Sequence, residues 1–145
     1  MGEKIILGHG SGGRMTRELV RDLFCKYLGD AGPQSMDDGA VMPKVDGELV
    51  FTTDSYVVSP LEFPGGDIGS LAVCGTVNDL AVMGAKPLWL SLGVILEAGL
   101  EFELLERVVK SMAAKAREAD VRIVCGDTKV VEKGKGDGIF INTSG

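Results

Sequence analysis

Between Gly65 and Pro87 the chain reads GGDIGSLAVCGTVNDLAVMGAKP, and few folds accommodate that stretch. Ile68, Leu71, Ala72, Leu80, Ala81, Val82 and Met83 recur largely at helical spacing, so a helix with one face on a core is expected. Asp67 is the expected N-cap, and Gly84 followed by Pro87 is the expected stop. Inside this apolar helix stand Thr76, Asn78 and Asp79. A polar group withdrawn from water without a partner costs roughly 1 to 3 kcal/mol, so each of them needs one. Two assignments remain open: Asn78 and Asp79 cap a neighbouring loop or pair with a lysine, or they face a divalent cation and a phosphate.

The 145 residues fit one domain, with 45% hydrophobic and 25% charged residues, enough to bury a core. A net charge of −6 argues against nucleic acid or an anionic membrane as the main partner, and it requires a cation if the ligand is a nucleotide. No apolar run reaches the length of a membrane span and the first ten residues lack a signal-peptide pattern, so the cytoplasm is the expected location. Cys25, Cys74 and Cys125 form no C-x-x-C pair and are expected as small buried residues. His9 is the single histidine, which removes histidine metal clusters from consideration.

Lys4 to Leu7 reads as a short edge strand. The following GHGSGGR, Gly8 to Arg14, formally matches G-x-G-x-x-G. The amphipathic helix after it, with Leu19, Val20, Leu23, Phe24, Tyr27 and Leu28, leads into GDAGPQSMDDG rather than a second strand, and this excludes a dinucleotide fingerprint. Arg14 and Met15 stand where a P-loop needs Lys and Ser or Thr. The loop is thus either a glycine flap whose backbone N–H groups close over phosphates or a flexible N-terminal arm.

Ala40 to Pro43 and Glu48 to Thr53, with Asp46-Gly47 between them, read as a hairpin. Its far ends would bring Asp37 and Asp38 beside Asp54, leaving either a solvated acidic patch or a set of hard oxygen ligands suited to Mg²⁺. Lys86 to Glu97 is nearly continuous in apolar character, the pattern of a strand buried on both faces, with Trp89 in core or interface. Glu101 to Ala119 is a second amphipathic helix, with Leu105, Val108, Val109, Met112, Ala113 and Ala116 inward and a solvated charged face outward. Val121 to Cys125 is expected to stop as a strand at Gly126-Asp127-Thr128-Lys129, a position where α/β folds place ligands. Gly138 to Thr143 is a final strand, after which the chain halts as a piece of a longer protein would.

The motifs HGSGG at 9–13, MDDGA at 36–40, TTDS at 52–55, FPGGDIGSLAVCGTVNDLAVMGAKP at 63–87 and GDTKVVEKG at 126–134 together resemble the N-terminal domain of the HypE family of hydrogenase maturation proteins. They resemble more loosely its superfamily relatives, aminoimidazole ribonucleotide synthetase, selenophosphate synthetase and thiamine monophosphate kinase. The glycine loop carries neither the cysteine nor the lysine of selenophosphate synthetases. The resemblance implies an α/β (α+β) fold, a mixed β-sheet flanked by helices, over residues 1–145, pairing with a second copy into a β-barrel. It implies an ATP-dependent carbamoyl dehydratase that turns an S-carbamoyl cysteine at the far C-terminus into a thiocyanate. HypF would be the carbamoyl donor and a HypC–HypD complex the acceptor of the cyano group.

By position, the resemblance makes Asp37, Asp38, Asp54 and Asp79 ligands of Mg²⁺ or of its waters. Asn78, Asp127 and Thr128 would orient the ATP phosphates, Lys129 would neutralise developing charge, and Gly10, Ser11, Gly12 and Gly13 would close over the site. No second domain or terminal cysteine is present, so this chain is expected to dimerise and bind ATP weakly without turnover. Two other readings are a small-molecule phosphotransferase acting on a thiamine phosphate or a selenium substrate, and a non-catalytic dimerisation and docking module.

Overall fold

The computed structural model describes residues 3–29 and 39–145. Asp37 and Asp38 lie outside the described residues, and so does their expected meeting with Asp54. Ile5 is fully buried and exchanges backbone hydrogen bonds with Gly99 and Leu100, but Lys4 makes only one bridge, to Glu101, and the chain then winds into a 3₁₀ turn over Leu7–Gly10. The expected edge strand is therefore reduced to a single bridge. Helix α1 (Arg14–Leu19) continues through a π-helical stretch (Val20–Cys25) into α2 (Lys26–Leu28), and buries Leu19, Leu23, Phe24 and Leu28 as their spacing requires.

The sheet contains β1 (Thr53–Tyr56), β4 (Trp89–Glu97), β5 (Arg122–Val131) and β6 (Ile139–Ser144), in the order β1-β6-β4-β5. The β4 and β5 strands are parallel, joined by helix α4 (Phe102–Glu118), while β6 runs antiparallel to both β4 and β1. A two-residue ribbon, β2 (Glu62–Phe63) with β3 (Gly66–Asp67), leads into α3 (Ile68–Val82).

Both long helices start and stop for legible reasons. Asp67 caps α3 by accepting from the Ser70 backbone N–H at 2.9 Å, while the Ser70 hydroxyl accepts from the Asp67 N–H. The same carboxylate accepts from the Ser111 hydroxyl at 2.6 Å and so ties α3 to α4. Gly84 ends the turn after α3 with φ +77°, where a Cβ would be strained. The α3–α4 crossing is close because Gly69 has no side chain: a Cβ there would meet the Val108 carbonyl at 2.5 Å.

All the helices share one face of the sheet. Leu90, Leu92, Val94 and Leu96 of β4 are buried on it, as are Ile139, Ile141 and Thr143 of β6. The alternate residues Trp89, Ser91, Gly93 and Glu97 are half-buried and Ile95 is exposed, so β4 is covered on one face and not on two. Ser91 and Gly93 set a period of two that the apolar letters around them obscured.

The hairpin expected over residues 40–53 is absent. Thr52 exchanges both backbone hydrogen bonds with Gly145, and β1 pairs with β6. Gly47 adopts the left-handed turn geometry (φ +104°), but the arms around it form no ladder among the described residues, and Val41, Leu49 and Phe51 are exposed. A hairpin needs an apolar face to bury, and the edge of β6 offers Thr52–Tyr56 both hydrogen-bond partners and the α3 surface.

The β5 strand likewise does not stop at residue 125. Gly126 to Val131 continue the parallel ladder against Leu92 to Glu97. Of the cysteines expected to be buried, Cys74 is exposed on α3, and Cys25 and Cys125 are partly covered. The outer face of α4 is also more than a solvated surface: Tyr27 donates to Glu106 at 2.5 Å, and the ammonium of Lys110 lies 5.0 Å from the Tyr27 ring, clamping the N-terminal helix to α4.

Candidate active site

The residues singled out in the sequence fall into two groups, at opposite edges of the sheet. Thr52, just before β1, and Asp54 and Tyr56 on it alternate onto the face that meets α3. Thr52 donates to Asp79 on α3 at 3.4 Å, and the Tyr56 hydroxyl meets Thr76 one turn earlier at 2.9 Å. Asp54 lies between these two contacts in sequence, so strand and helix bring Asp54 and Asp79 to one corner of the molecule. Thr76, fully buried, finds its partners in Tyr56 and Thr143, and none of the described buried side-chain N or O atoms lacks a hydrogen bond. Burial pushes the Tyr56 phenol above its ordinary pKa, and the nearby Asp54 carboxylate adds to the rise.

The other face of β1 is a polar row. Asn142 of β6 donates to the hydroxyls of Thr53 (3.3 Å) and Ser55 (3.1 Å) and to the Asp54 carbonyl (2.9 Å). This row fixes the β1 backbone against β6, and with it the position of Asp54.

The second group lies on β5 and the glycine loop. Gly10 packs so tightly on the backbone N of Val130 that a Cβ could not be accommodated. Thr16 gathers the loop by accepting from the Gly12 N–H at 2.9 Å and donating to the Gly8 carbonyl. Ser11, Gly12 and Gly13 remain exposed beside β5. Lys129 and Asp127 form an exposed ion pair at 3.0 Å on the open face of the sheet. Pairs of this kind contribute little to stability, which leaves both groups available to a ligand. Thr128 is buried on the opposite face, with Thr16 and Phe24 lining the same apolar cavity of about 120 Å³.

The ladders give the separation between the groups. Ser55 pairs with Asn142, Asn142 with Gly93 and Gly93 with Asp127. Three strand spacings separate β1 from β5, roughly 14 Å. Within one chain, therefore, Asp54 lies at the edge that packs on α3, which carries Asp79, while Asp127 and Lys129 stand across the sheet and on its other face. Asn78 belongs to neither group; it lines a groove between α3 and α4 with Val77, Lys115 and Glu118. Among the described residues no three acidic, histidine or cysteine side chains cluster as a metal cage. Mg²⁺ does not need one, since it is commonly held by one or two carboxylates with waters and substrate phosphates completing the octahedron, and Asp54 with Asp79 fits that donor set.

Thr16, Thr52, Tyr56 and Thr143 were missed as site residues. For Thr52 and Tyr56 the signal was present in the sequence, as the period of two running through Thr52-Thr53-Asp54-Ser55-Tyr56.

Residues 36–145 match the family model of the AIR synthase related protein, N-terminal domain. The chain belongs to that family. It is 54% identical to the carbamoyl dehydratase HypE of Rhodobacter capsulatus over 148 residues, covering 99% of this chain and 43% of that protein. It is 51% identical to HypE of Escherichia coli K12, covering 97% of this chain and 44% of that protein. Among solved structures, hydrogenase maturation protein HypE in complex with ATP superposes with a TM-score of 0.88 at 51% identity, over 96% of this chain and 41% of that one. A HypE–HypF complex gives 0.67 at 53% identity, over 91% of this chain and 41% of the matched one. A thiamine-monophosphate kinase from Stenotrophomonas maltophilia, at 22% identity and 0.60, shares the fold. The chain spans about two fifths of the length of the curated relatives it matches.

Proposed function

We propose that this chain is the nucleotide-binding and dimer-forming part of an ATP-dependent carbamoyl dehydratase acting in [NiFe] hydrogenase maturation in the cytoplasm. The observation that carries the reading is that Thr52 and Tyr56, on either side of Asp54, contact Asp79 and Thr76 of α3, within a fold that matches an ATP-bound HypE at a TM-score of 0.88. In the reaction, the γ-phosphoryl group of ATP passes to the oxygen of an S-carbamoyl cysteine. Inorganic phosphate then carries that oxygen away, the nitrogen gives up its two protons, and a thiocyanate remains. That cysteine and the second domain belong to the longer protein; HypF as donor of the carbamoyl group and a HypC–HypD complex as acceptor of the cyano group follow from the same reading.

Asp54 and Asp79 would hold Mg²⁺ on the phosphates, with Asp37 and Asp38 as further ligands; once bound, the ion neutralises phosphate charge and lowers the barrier to phosphoryl transfer. Thr52 keeps the Asp79 carboxylate turned toward β1. Gly10 to Gly13, anchored on Val130, lie beside Lys129 and are positioned to cover a phosphate with backbone N–H groups. Lys129 would offset charge on the transferred group and Asp127 would orient the nucleotide, whereas Thr128, buried on the opposite face, and Asn78, in the α3–α4 groove, would reach it only through a change in structure.

A second copy supplies what one chain lacks. The open sheet face and exposed Ile95, Val57 and Phe51 call for a cover. Closing two four-stranded sheets edge to edge would set β5 of one chain beside β1 of the other, so that roughly 14 Å within one chain becomes a single strand spacing between two.

Calorimetric titration with Mg²⁺·ATP tests the reading. Asp54→Asn and Asp79→Asn should each lower affinity by about tenfold or more, with melting temperatures close to the parent's. Unchanged affinity in both variants would remove the site from this corner.

A further inference from the structure

Tyr56 places a phenol oxygen at the proposed metal corner, and its hydrogen is already committed elsewhere. Thr143 donates to the Ala72 carbonyl at 3.1 Å, which uses its one hydroxyl hydrogen. The contact between Thr76 and Thr143 is then a hydrogen bond only if Thr76 donates, and the contact between Tyr56 and Thr76 only if Tyr56 donates. All three bonds exist together in one polarity, running from Tyr56 inward to α3. The outward side of the Tyr56 oxygen therefore carries lone pairs alone.

Tyr56 is also held where it is at some expense. Its ring and oxygen fill the space where a Cβ of Gly75 would stand, and a glycine inside a helix costs about 1 kcal/mol relative to alanine. Asp54, two residues earlier on the same face of the strand, lies near enough to act on the phenol, so two acceptors stand close together unless a donor lies between them.

We propose that Tyr56 is a positioning residue whose oxygen accepts a hydrogen bond from a water on the divalent cation held by Asp54 and Asp79; this rests on the metal–nucleotide reading above. A cation-bound water is a strong donor with no acceptor role to offer, and a buried oxygen unable to donate is its complement. By fixing one water, Tyr56 restricts which coordination positions remain for phosphate oxygens.

The test is titration of the 145-residue chain with Mn²⁺·ATP, followed by water-proton relaxation, with melting of the ligand-free protein measured in parallel. Tyr56→Phe retains the ring on Gly75 and leaves Thr76 donating to Thr143, so it should weaken Mn²⁺·ATP binding about three- to tenfold while shifting the melting temperature little. Thr76→Ala keeps the phenol but frees its hydrogen to turn toward Asp54, and it should weaken binding in the same range. If both variants bind as the parent does while Asp54→Asn has lost binding, the role assigned to Tyr56 is wrong and the metal corner stands. If Asp54→Asn and Asp79→Asn bind as the parent does, the metal corner falls and the role of Tyr56 with it. Should Tyr56→Phe melt early, Thr76→Ala decides, since it adds no atom to the buried contact.

Discussion

The close crossing of α3 on α4 depends on a single missing methyl group, and Gly69→Ala puts it to a quantitative test. The added Cβ would lie 2.5 Å from the Val108 carbonyl oxygen, 2.6 Å from Met112 Cγ and 2.9 Å from Val108 Cγ1. Met112 can rotate away, but the carbonyl belongs to the α4 backbone, so the helices must separate. Overpacking of this kind costs about 1 to 3 kcal/mol, and a fixed backbone obstacle puts it near the top of that span. Alanine returns about 1 kcal/mol of helix propensity, leaving a net loss of about 2 kcal/mol. For a chain of this size that lowers Tm by roughly 4 to 8 °C. Gly93→Ala is the internal comparison: its Cβ would meet nothing nearer than 3.8 Å, so its Tm should match or exceed the parent's. Differential scanning calorimetry reads both, and a Gly69→Ala protein that melts at or above the parent temperature would show that the helices do not pack as closely as described.

Two further outcomes follow from single contacts. Glu97 accepts from the backbone N–H groups of Gly134 and Gly138, and these hold its carboxyl below the usual value of 4.5. A carboxylate depressed on folding contributes stability above the unfolded value and loses it as pH falls through the folded one. The melting-temperature gap between the parent and Glu97→Gln should accordingly be wide at pH 7 and close below pH 4.5, and a gap independent of pH would contradict it. Gly10→Ala should lift the 3₁₀ turn off Val130, since Val130 Cβ already lies 2.9 Å from the would-be methyl. Hydrogen exchange at Leu7–Gly10 should accelerate while the β4–β6 ladder keeps its protection.

Helices were legible in the sequence because their signals are local. Asp67, Gly84, Leu105 and Met112 each stand within a turn or two of what they cap or pack beside. Strand partners are not local, and that is where the expectations failed. Ala40–Pro43 and Glu48–Thr53 look like a hairpin to any rule that weighs only neighbours, yet Thr52 finds Gly145, 93 residues away. The run from Gly126 to Lys129 reads as a loop by composition, but Gly126 lets β5 press against the Leu92 carbonyl and the ladder continues.

The site divides along the same line. Asp54 and Asp79 were recognisable as chemistry-bearing residues. That Asp127 stands three strands away, and that Thr128 turns to the opposite face, follows from sheet order and pleat, which no short motif encodes.

The pairing of β1 with β6 also orders events in time. Among the described residues Thr53 to Tyr56 pair only with residues 141–144, so the strand bearing Asp54 cannot complete this ladder until nearly the whole domain has left the ribosome. Closing a loop of that length costs chain entropy, so the docking of this strand on α3 is expected to follow the more local contacts. Until then the exposed TTDSY segment is an unsatisfied edge, and a nascent chain stalled before Ile139 would carry a nearly complete helical layer with no acidic corner at all.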